Sequence, residues 1–167
     1  MVYVFLRFFN YRYSLKVFLI AFFSLIALAN NVYAVTIVQN QSMDFATLLV
    51  PTSGSEYIII QENNGSAVGT GTVILGTTRR GEFTVTGDNN SGVFTLNIDS
   101  VVTGSSDITL NSFRATYNGT LVTQYPSQPL PQSTSPKNLY LGAKLTYNNS
   151  VTSGVKNVTF RIVYTMI

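Results

Sequence analysis

From residue 35 onward, hydrophobic and polar residues alternate along short segments. In EFTVT (82–86), for example, Phe83 and Val85 alternate with polar side chains. A period of two places every second side chain on the same face of a β-strand. Ten such segments, rich in Val, Ile, Thr, Tyr and Phe, are predicted as strands at 35–39, 42–50, 56–61, 72–76, 82–86, 93–99, 107–117, 121–125, 138–147 and 156–166.

Turn-forming residues separate the predicted strands. Asn, Gly and Ser cluster between them, and Asn and Gly tolerate the positive φ angles of hairpin turns. Segment 65–73 is interpreted as a flexible turn, and segment 125–136, which holds four of the five prolines, as an irregular crossover loop between sheets. Short strands at this spacing, with no helical segment among them, predict an all-β fold: a β-sandwich of two antiparallel sheets.

The alternation also predicts which side chains point inward. In segment 82–86 the inward residues are Phe83 and Val85. In the last predicted strand they are Val158, Phe160, Ile162 and Tyr164, with Thr159, Arg161 and Val163 on the opposite face.

The first 34 residues differ from the rest and predict an N-terminal signal-peptide helix. Residues 17–29 form an uncharged apolar run of 13 residues, which follows three basic residues, Arg7, Arg12 and Lys16. Val32 and Ala34 occupy the −3 and −1 positions of a cleavage signal, so we expect cleavage after Ala34. The alternative, a retained membrane anchor, would need about 20 apolar residues. The predicted organisation is a signal peptide at 1–34 and a single domain at 35–167.

Charge and composition exclude several classes of function. Three of the ten basic residues lie in the predicted signal peptide, so residues 35–167 carry seven basic and seven acidic residues. A domain without net positive charge is not expected to bind nucleic acid. The chain has no Cys and no His, which removes the usual ligands of zinc, haem and iron–sulfur clusters. We expect no cofactor, and the core must be stable without disulfides.

Four segments are similar to a known family in sequence and in order. They are MDFA (43–46), GEFTVTG (81–87), LYLGAKLTY (139–147) and VTFRIVY (158–164). In these the chain resembles the DUF4402 domain family over about residues 36–165. The resemblance implies an exported bacterial protein with an immunoglobulin-like β-sandwich, similar to domains of adhesins and pilin subunits. The chain departs from the family at Ala46, where Gly is usual, and at SGVKN (153–157), which lacks the common Gly-x-Tyr-x-Gly.

The remaining residues do not form a recognisable catalytic or metal-binding motif. Without His or Cys, triads built on those residues are impossible. One S-x-x-K motif, at 153–156, lies in a predicted turn, and the GDNNSG segment (87–92) lacks the ligand spacing of a calcium loop. The other acidic residues are expected to be solvated at turns and strand ends, whereas Asp44 is expected to bond backbone amides of a turn. We therefore predict no enzyme, with no catalytic, cofactor-binding or metal-binding residue.

Two functions fit these observations. The first is a structural or adhesive role in the periplasm, at the outer surface or outside the cell. Its partners would be copies of itself, a chaperone or a surface partner, bound by strand pairing, and it would meet a membrane only through the signal segment during export. Segment 35–45 would be free to extend after cleavage. The predicted assembly strands carry Val35, Ile37, Val158, Phe160, Ile162 and Tyr164.

The alternative function is a periplasmic or secreted module that binds a glycan or peptide. Its contact residues would be tyrosines at or near strand ends, namely Tyr117, Tyr125, Tyr140 and Tyr147.

Overall fold

A computed structural model describes residues 34–101, 107–156 and 158–167. The predicted signal-peptide helix lies outside this part of the chain. The described residues form twelve strands and no helix, which confirms the all-β prediction. The strands are β1 (Val35–Gln41), β2 (Thr47–Leu48), β3 (Ser55–Ile60), β4 (Ala67–Gly69), β5 (Val73–Leu75), β6 (Gly81–Gly87), β7 (Val93–Val101), β8 (Ile108–Tyr117), β9 (Thr120–Val122), β10 (Leu130–Pro131), β11 (Lys137–Asn148) and β12 (Thr159–Met166).

The strands form three antiparallel sheets. The largest, of seven strands, is built around β11, which pairs with β8 along one edge. Along its other edge β11 pairs first with β6 and then, beyond Gly142, with β3. Strands β1, β4 and β9 complete this sheet by pairing with β6, β3 and β8. A second sheet has the order β10-β7-β12, and β2 pairs with β5 in a two-stranded sheet.

The two larger sheets bury one shared apolar core. On β6, Phe83 and Val85 are buried, as the alternation predicted. Phe94, on the three-stranded sheet, meets Tyr117 of the seven-stranded sheet edge to face, with ring centroids 5.5 Å apart. Buried residues come from β6, β8 and β11 on one side and from β7 on the other. The packing is therefore sandwich-like, with no helix between the sheets in the described residues.

The predicted strand at 42–50 is mostly irregular. Only residues 47 and 48 form a strand. Before them, Oδ1 of Asp44 accepts a hydrogen bond of 2.8 Å from the backbone N–H of Ala46, whose φ is +58°. This turn confirms the structural task predicted for Asp44. It also explains why Gly is usual at position 46, since a positive φ costs an L-residue about 1–2 kcal/mol.

Replacing Ala46 by Gly should stabilise the domain. We expect Ala46→Gly to raise the free energy of unfolding by about 0.5–1 kcal/mol, because the relief of backbone strain exceeds the entropy that Gly adds to the unfolded chain. Urea denaturation of residues 35–167 measures the change. As a control, Ala67→Gly in β4 should lower stability, since Gly weakens a strand. A loss of stability in Ala46→Gly would contradict the argument.

The proline-rich segment crosses between the sheets, as predicted, but it is more ordered than an irregular loop. It leaves β9 of the seven-stranded sheet and contains β10, which pairs with β7. The backbone N–H of Ser127 donates to the carbonyl of Leu96, and the N–H of Leu96 donates to Oγ of Ser127. The hydroxyl of Tyr117 donates to the carbonyl of Pro131, 2.9 Å away. This segment therefore closes one side of the core.

The segment predicted as a flexible turn at 65–73 was partly misassigned. It contains β4, which adds three residues to the edge of β3.

Within the described ranges, no helix is long and apolar enough to cross a membrane.

Candidate functional site

The side of the core opposite the proline-rich segment lies between two outer strands. Strand β1 pairs with β6, and strand β12 pairs with β7. Among the described residues, no further strand adds to β1 or β12 on its outer edge. We call the space between these two strands the β1–β12 seam.

A groove of about 440 Å³ opens at the β1–β12 seam. We call it the seam groove. Among the described residues, six aliphatic, aromatic or methionine side chains and three polar side chains line it, and none of these is charged. The lining residues are Ile37, Gln39, Ser42, Met43, Phe83, Val158, Thr159, Phe160 and Ile162.

Aromatic contacts form the floor of the seam groove. Phe160 of β12 packs edge to face on Phe83 of β6, with ring centroids 6.2 Å apart. It also packs on Phe113 of β8 at 6.0 Å, with the rings tilted by 53°. Phe160 thus joins the two sheets although it belongs to an outer strand. It is only half-buried, because no strand covers it from the seam side within the described residues.

The structure brings together four of the six predicted assembly residues. Ile37, Val158, Phe160 and Ile162 all line the seam groove. Val35 is instead buried in the core, and Tyr164 is 38% exposed and does not line the groove. The segment expected to extend freely after cleavage is paired with β6 from Val35 to Gln41.

The other groove residues were not predicted, and Thr159, which was predicted on the face opposite Phe160, lines the groove together with it. Phe83 was predicted to be inward but was not linked to the seam, and Met43 comes from a segment that was misassigned as strand. Gln39 follows Ile37 by two positions, so its place on the same face was readable from the alternation. Its side chain donates to Oγ of Ser42, 2.9 Å away.

A polar cluster lies at the start of β6. The guanidinium of Arg80 donates to Oε1 of Glu82 at 2.9 Å and to backbone carbonyls of Glu62 and Asn63. It also stacks on the ring of Tyr140, 3.6 Å from the centroid. These bonds join β6, β11 and the turn after β3, so we interpret the cluster as structural.

Glu62 is buried and paired, which differs from the prediction made from the sequence. It was expected to be solvated, but the residue is only 8% exposed and its carboxylate lies 3.4 Å from the guanidinium of Arg114. A buried carboxylate needs such a partner, because burial without one is costly. The pairing joins the end of β3 to β8 and was not visible in local sequence.

The tyrosines considered as contact residues for a glycan or peptide are largely engaged. Tyr117 and Tyr147 are buried, and the ring of Tyr140 is covered by Arg80. The pKa of the Tyr125 phenol is raised, mainly by burial and then by the charge of Glu62. Burial, followed by the charge and hydrogen bond of Glu56, raises the pKa of Tyr147 to about 12. Its hydroxyl donates to Oε2 of Glu56, 3.3 Å away.

The raised pKa of Tyr147 predicts a loss of stability in alkali. The folded state favours the neutral phenol, so this contribution is complete below pH 10 and is lost as the pH rises towards 12. In Tyr147→Phe the free energy of unfolding should fall less steeply between pH 10 and pH 11.5 than in the wild type. Urea denaturation at a series of pH values measures both slopes. Equal slopes would contradict the prediction, since Phe does not ionise.

The fold and groove define an all-β, sandwich-like domain with an open groove between two outer strands. The chain belongs to the DUF4402 family, a domain of unknown function, whose model matches residues 35–164. This match confirms the resemblance seen in the sequence and covers nearly the whole described domain. No curated protein and no solved structure matches the chain.

Proposed function

We propose that this chain is an exported bacterial envelope or surface subunit with a structural or adhesive role and no catalytic activity. In this proposal the domain is an immunoglobulin-like sandwich that accepts a β-strand from a neighbouring subunit. The observation that carries the proposal is the open groove between β1 and β12, whose described lining combines hydrophobic and uncharged polar side chains.

Strand addition uses two properties of such a seam. An outer strand presents backbone N–H and C=O groups that another chain can pair with. The inserted strand then directs alternate side chains into the space between the sheets, which determines register. The hydrophobic residues among the described lining, such as Ile37 and Phe160, could receive the aliphatic side chains of an inserted strand.

Two features support export. The predicted signal peptide ends at Ala34, and β1 begins at Val35, so cleavage there would keep every described strand and would remove the hydrogen bonds between Ala34 and Asp88. The family match also begins at residue 35.

The alternative, a module that binds glycans or peptides, has weaker support. Of its four proposed contact tyrosines, two are buried and one is covered by Arg80. Saturable binding to a glycan array by residues 35–167 would favour this alternative over the proposal.

Expression of the full chain in a bacterium tests export. We expect the protein in the periplasmic or surface fraction, with an N-terminus at Val35. A variant that lacks residues 17–29 provides the control and should stay in the cytoplasm with its N-terminus intact. Retention of the wild-type chain in the cytoplasm would contradict the proposal.

A matched pair of variants tests strand acceptance at the seam. Ile162 lines the seam groove, whereas Val163 is its neighbour on the opposite face of β12. Chemical cross-linking of residues 35–167 should give multimers in the wild type and in Val163→Lys but not in Ile162→Lys. Thermal unfolding establishes that all three are folded. Monomers in all three proteins, or equal multimers, would contradict the role of the seam.

A further inference from the structure

A second exposed apolar feature lies in the two-stranded sheet. We call residues 47–49 and 73–75, which contain β2 and β5, the apolar ribbon. The ribbon is held by the β2–β5 pairing and by a hydrogen bond of 2.9 Å from the N–H of Leu49 to the carbonyl of Thr72. Its exposed aliphatic residues are Leu49 at 52%, Val73 at 37%, Ile74 at 56% and Leu75 at 72%.

The apolar ribbon has the character of a contact surface. Ile74 and Leu75 are consecutive, so their side chains point to opposite faces of β5, and both are exposed. No charged residue occurs at 45–55 or 63–78, the two segments that contain the ribbon. Grouped aliphatic side chains without charges around them are typical of an interaction site rather than of a solvated surface.

The ribbon is anchored at its base. The backbones of Asp44 and Arg79 exchange two hydrogen bonds of 2.9 and 2.8 Å. Leu48 packs against the core. A defined ribbon loses less conformational entropy on docking than a flexible loop would.

The ribbon and the seam groove adjoin along the chain. Ser42 and Met43 line the groove, and the next residue, Asp44, forms the base of the ribbon. One molecule thus carries an exposed aliphatic ribbon that directly follows the seam groove along the chain. Rotation of a second copy about a two-fold axis is the symmetric way to place each such projection in the groove of the other copy.

We propose that the strand donor is a second copy of this chain, and that β5 of each copy enters the seam groove of the other. This inference rests on the proposed function, because it identifies the partner at the same seam. The length of β5, about 10 Å, fits within the roughly 16 Å that the groove residues 158–162 span. Insertion directs Val73 and Leu75, which share one face of β5, into the space beside Phe160.

The absence of cysteine from the chain allows a direct test by disulfide cross-linking. One tagged copy carries Leu75→Cys, and a second, differently tagged copy carries Ser42→Cys in the seam groove. Mixed and oxidised, they should form a disulfide between the two tags. In the control, Leu121→Cys, which lies on β9 and is 46% exposed, replaces Leu75→Cys and should not cross-link to Ser42→Cys. Absence of the disulfide, or equal yield in the control, would overturn the inference.

Sedimentation equilibrium separates this inference from the proposed function. The double variant Ile74→Thr and Leu75→Thr should raise the dissociation constant of residues 35–167 by about tenfold or more. Leu121→Thr should leave it unchanged. If the ribbon variant associates like the wild type while Ile162→Lys does not, the seam accepts some other strand and only the inference fails. If the wild type stays monomeric but binds phosphatidylcholine vesicles through the ribbon, the inference and the proposed strand acceptance at the seam are both overturned.

Discussion

Replacement of Gly142 by Ala is expected to destabilise the domain by about 3 kcal/mol. Gly142 lies in β11 where its pairing passes from β6 to β3. A Cβ atom there would lie 2.1 Å from the carbonyl oxygen of Ile60 and 2.8 Å from the amide nitrogen of Glu62. Both atoms belong to backbone, so relief requires a shift of strands rather than of a side chain. Urea denaturation of residues 35–167 measures the loss.

Gly119→Ala is the matched control for this prediction. Gly119 has a φ of +83°, but a Cβ atom there would meet nothing within 4 Å. Its replacement should cost about 1 kcal/mol from backbone strain alone. Equal losses in the two variants would show that crowding at Gly142 is not the main cause of its destabilisation.

Truncation of Phe94 should have an effect of similar size. Phe94 is fully buried on β7 and meets Tyr117 of the facing sheet at 5.5 Å. We expect Phe94→Ala to lower the free energy of unfolding by about 3–5 kcal/mol, through lost burial and the cavity left between the sheets. Thermal and urea unfolding should agree on the loss.

The control for Phe94 is a residue outside the core. Val155 is 91% exposed, so Val155→Ala should change stability by less than about 0.5 kcal/mol. A loss below about 1 kcal/mol in Phe94→Ala would mean that the two sheets do not depend on this contact.

The regular strands were predictable because the alternation of hydrophobic and polar residues that marks a strand lies within the strand itself. In segment 82–86 the alternation alone identified Phe83 and Val85 as buried. The last strand was located correctly, although Tyr164 is more exposed than its inward position suggested. Alternation fixes the face of a strand, but exposure also depends on how far the opposing sheet extends.

Other parts of the fold depend on interactions that alternation does not encode. The apolar character of segment 42–50 predicted a strand, but the bond between Asp44 and Ala46 turns the chain there. Strand β10 lies in a proline-rich segment and forms because β7 offers an edge to pair with. Glu62 is buried because Arg114, far along the chain, approaches it.

The candidate site was predictable only in part, for a related reason. Ile37 and Phe160 were chosen because they belong to terminal strands with apolar alternation, and both line the seam groove. Their meeting with Phe83 and Met43 depends on the order of strands in two sheets, which a single sequence does not specify. The apolar ribbon was missed because its residues were assigned to ordinary strands.

The ordered proline-rich segment makes the two edges of the sandwich different. Segment 125–136 covers the edge of β7 through Ser127 and β10, and proline lacks the N–H that a further strand would need. A strand from another chain is therefore poorly accommodated on the side of the proline-rich segment. Among the described residues, the outer edges of β1 and β12 are the edges where it could pair. Such asymmetry limits indiscriminate sheet growth, which is a main aggregation hazard for a β protein with exposed strand edges.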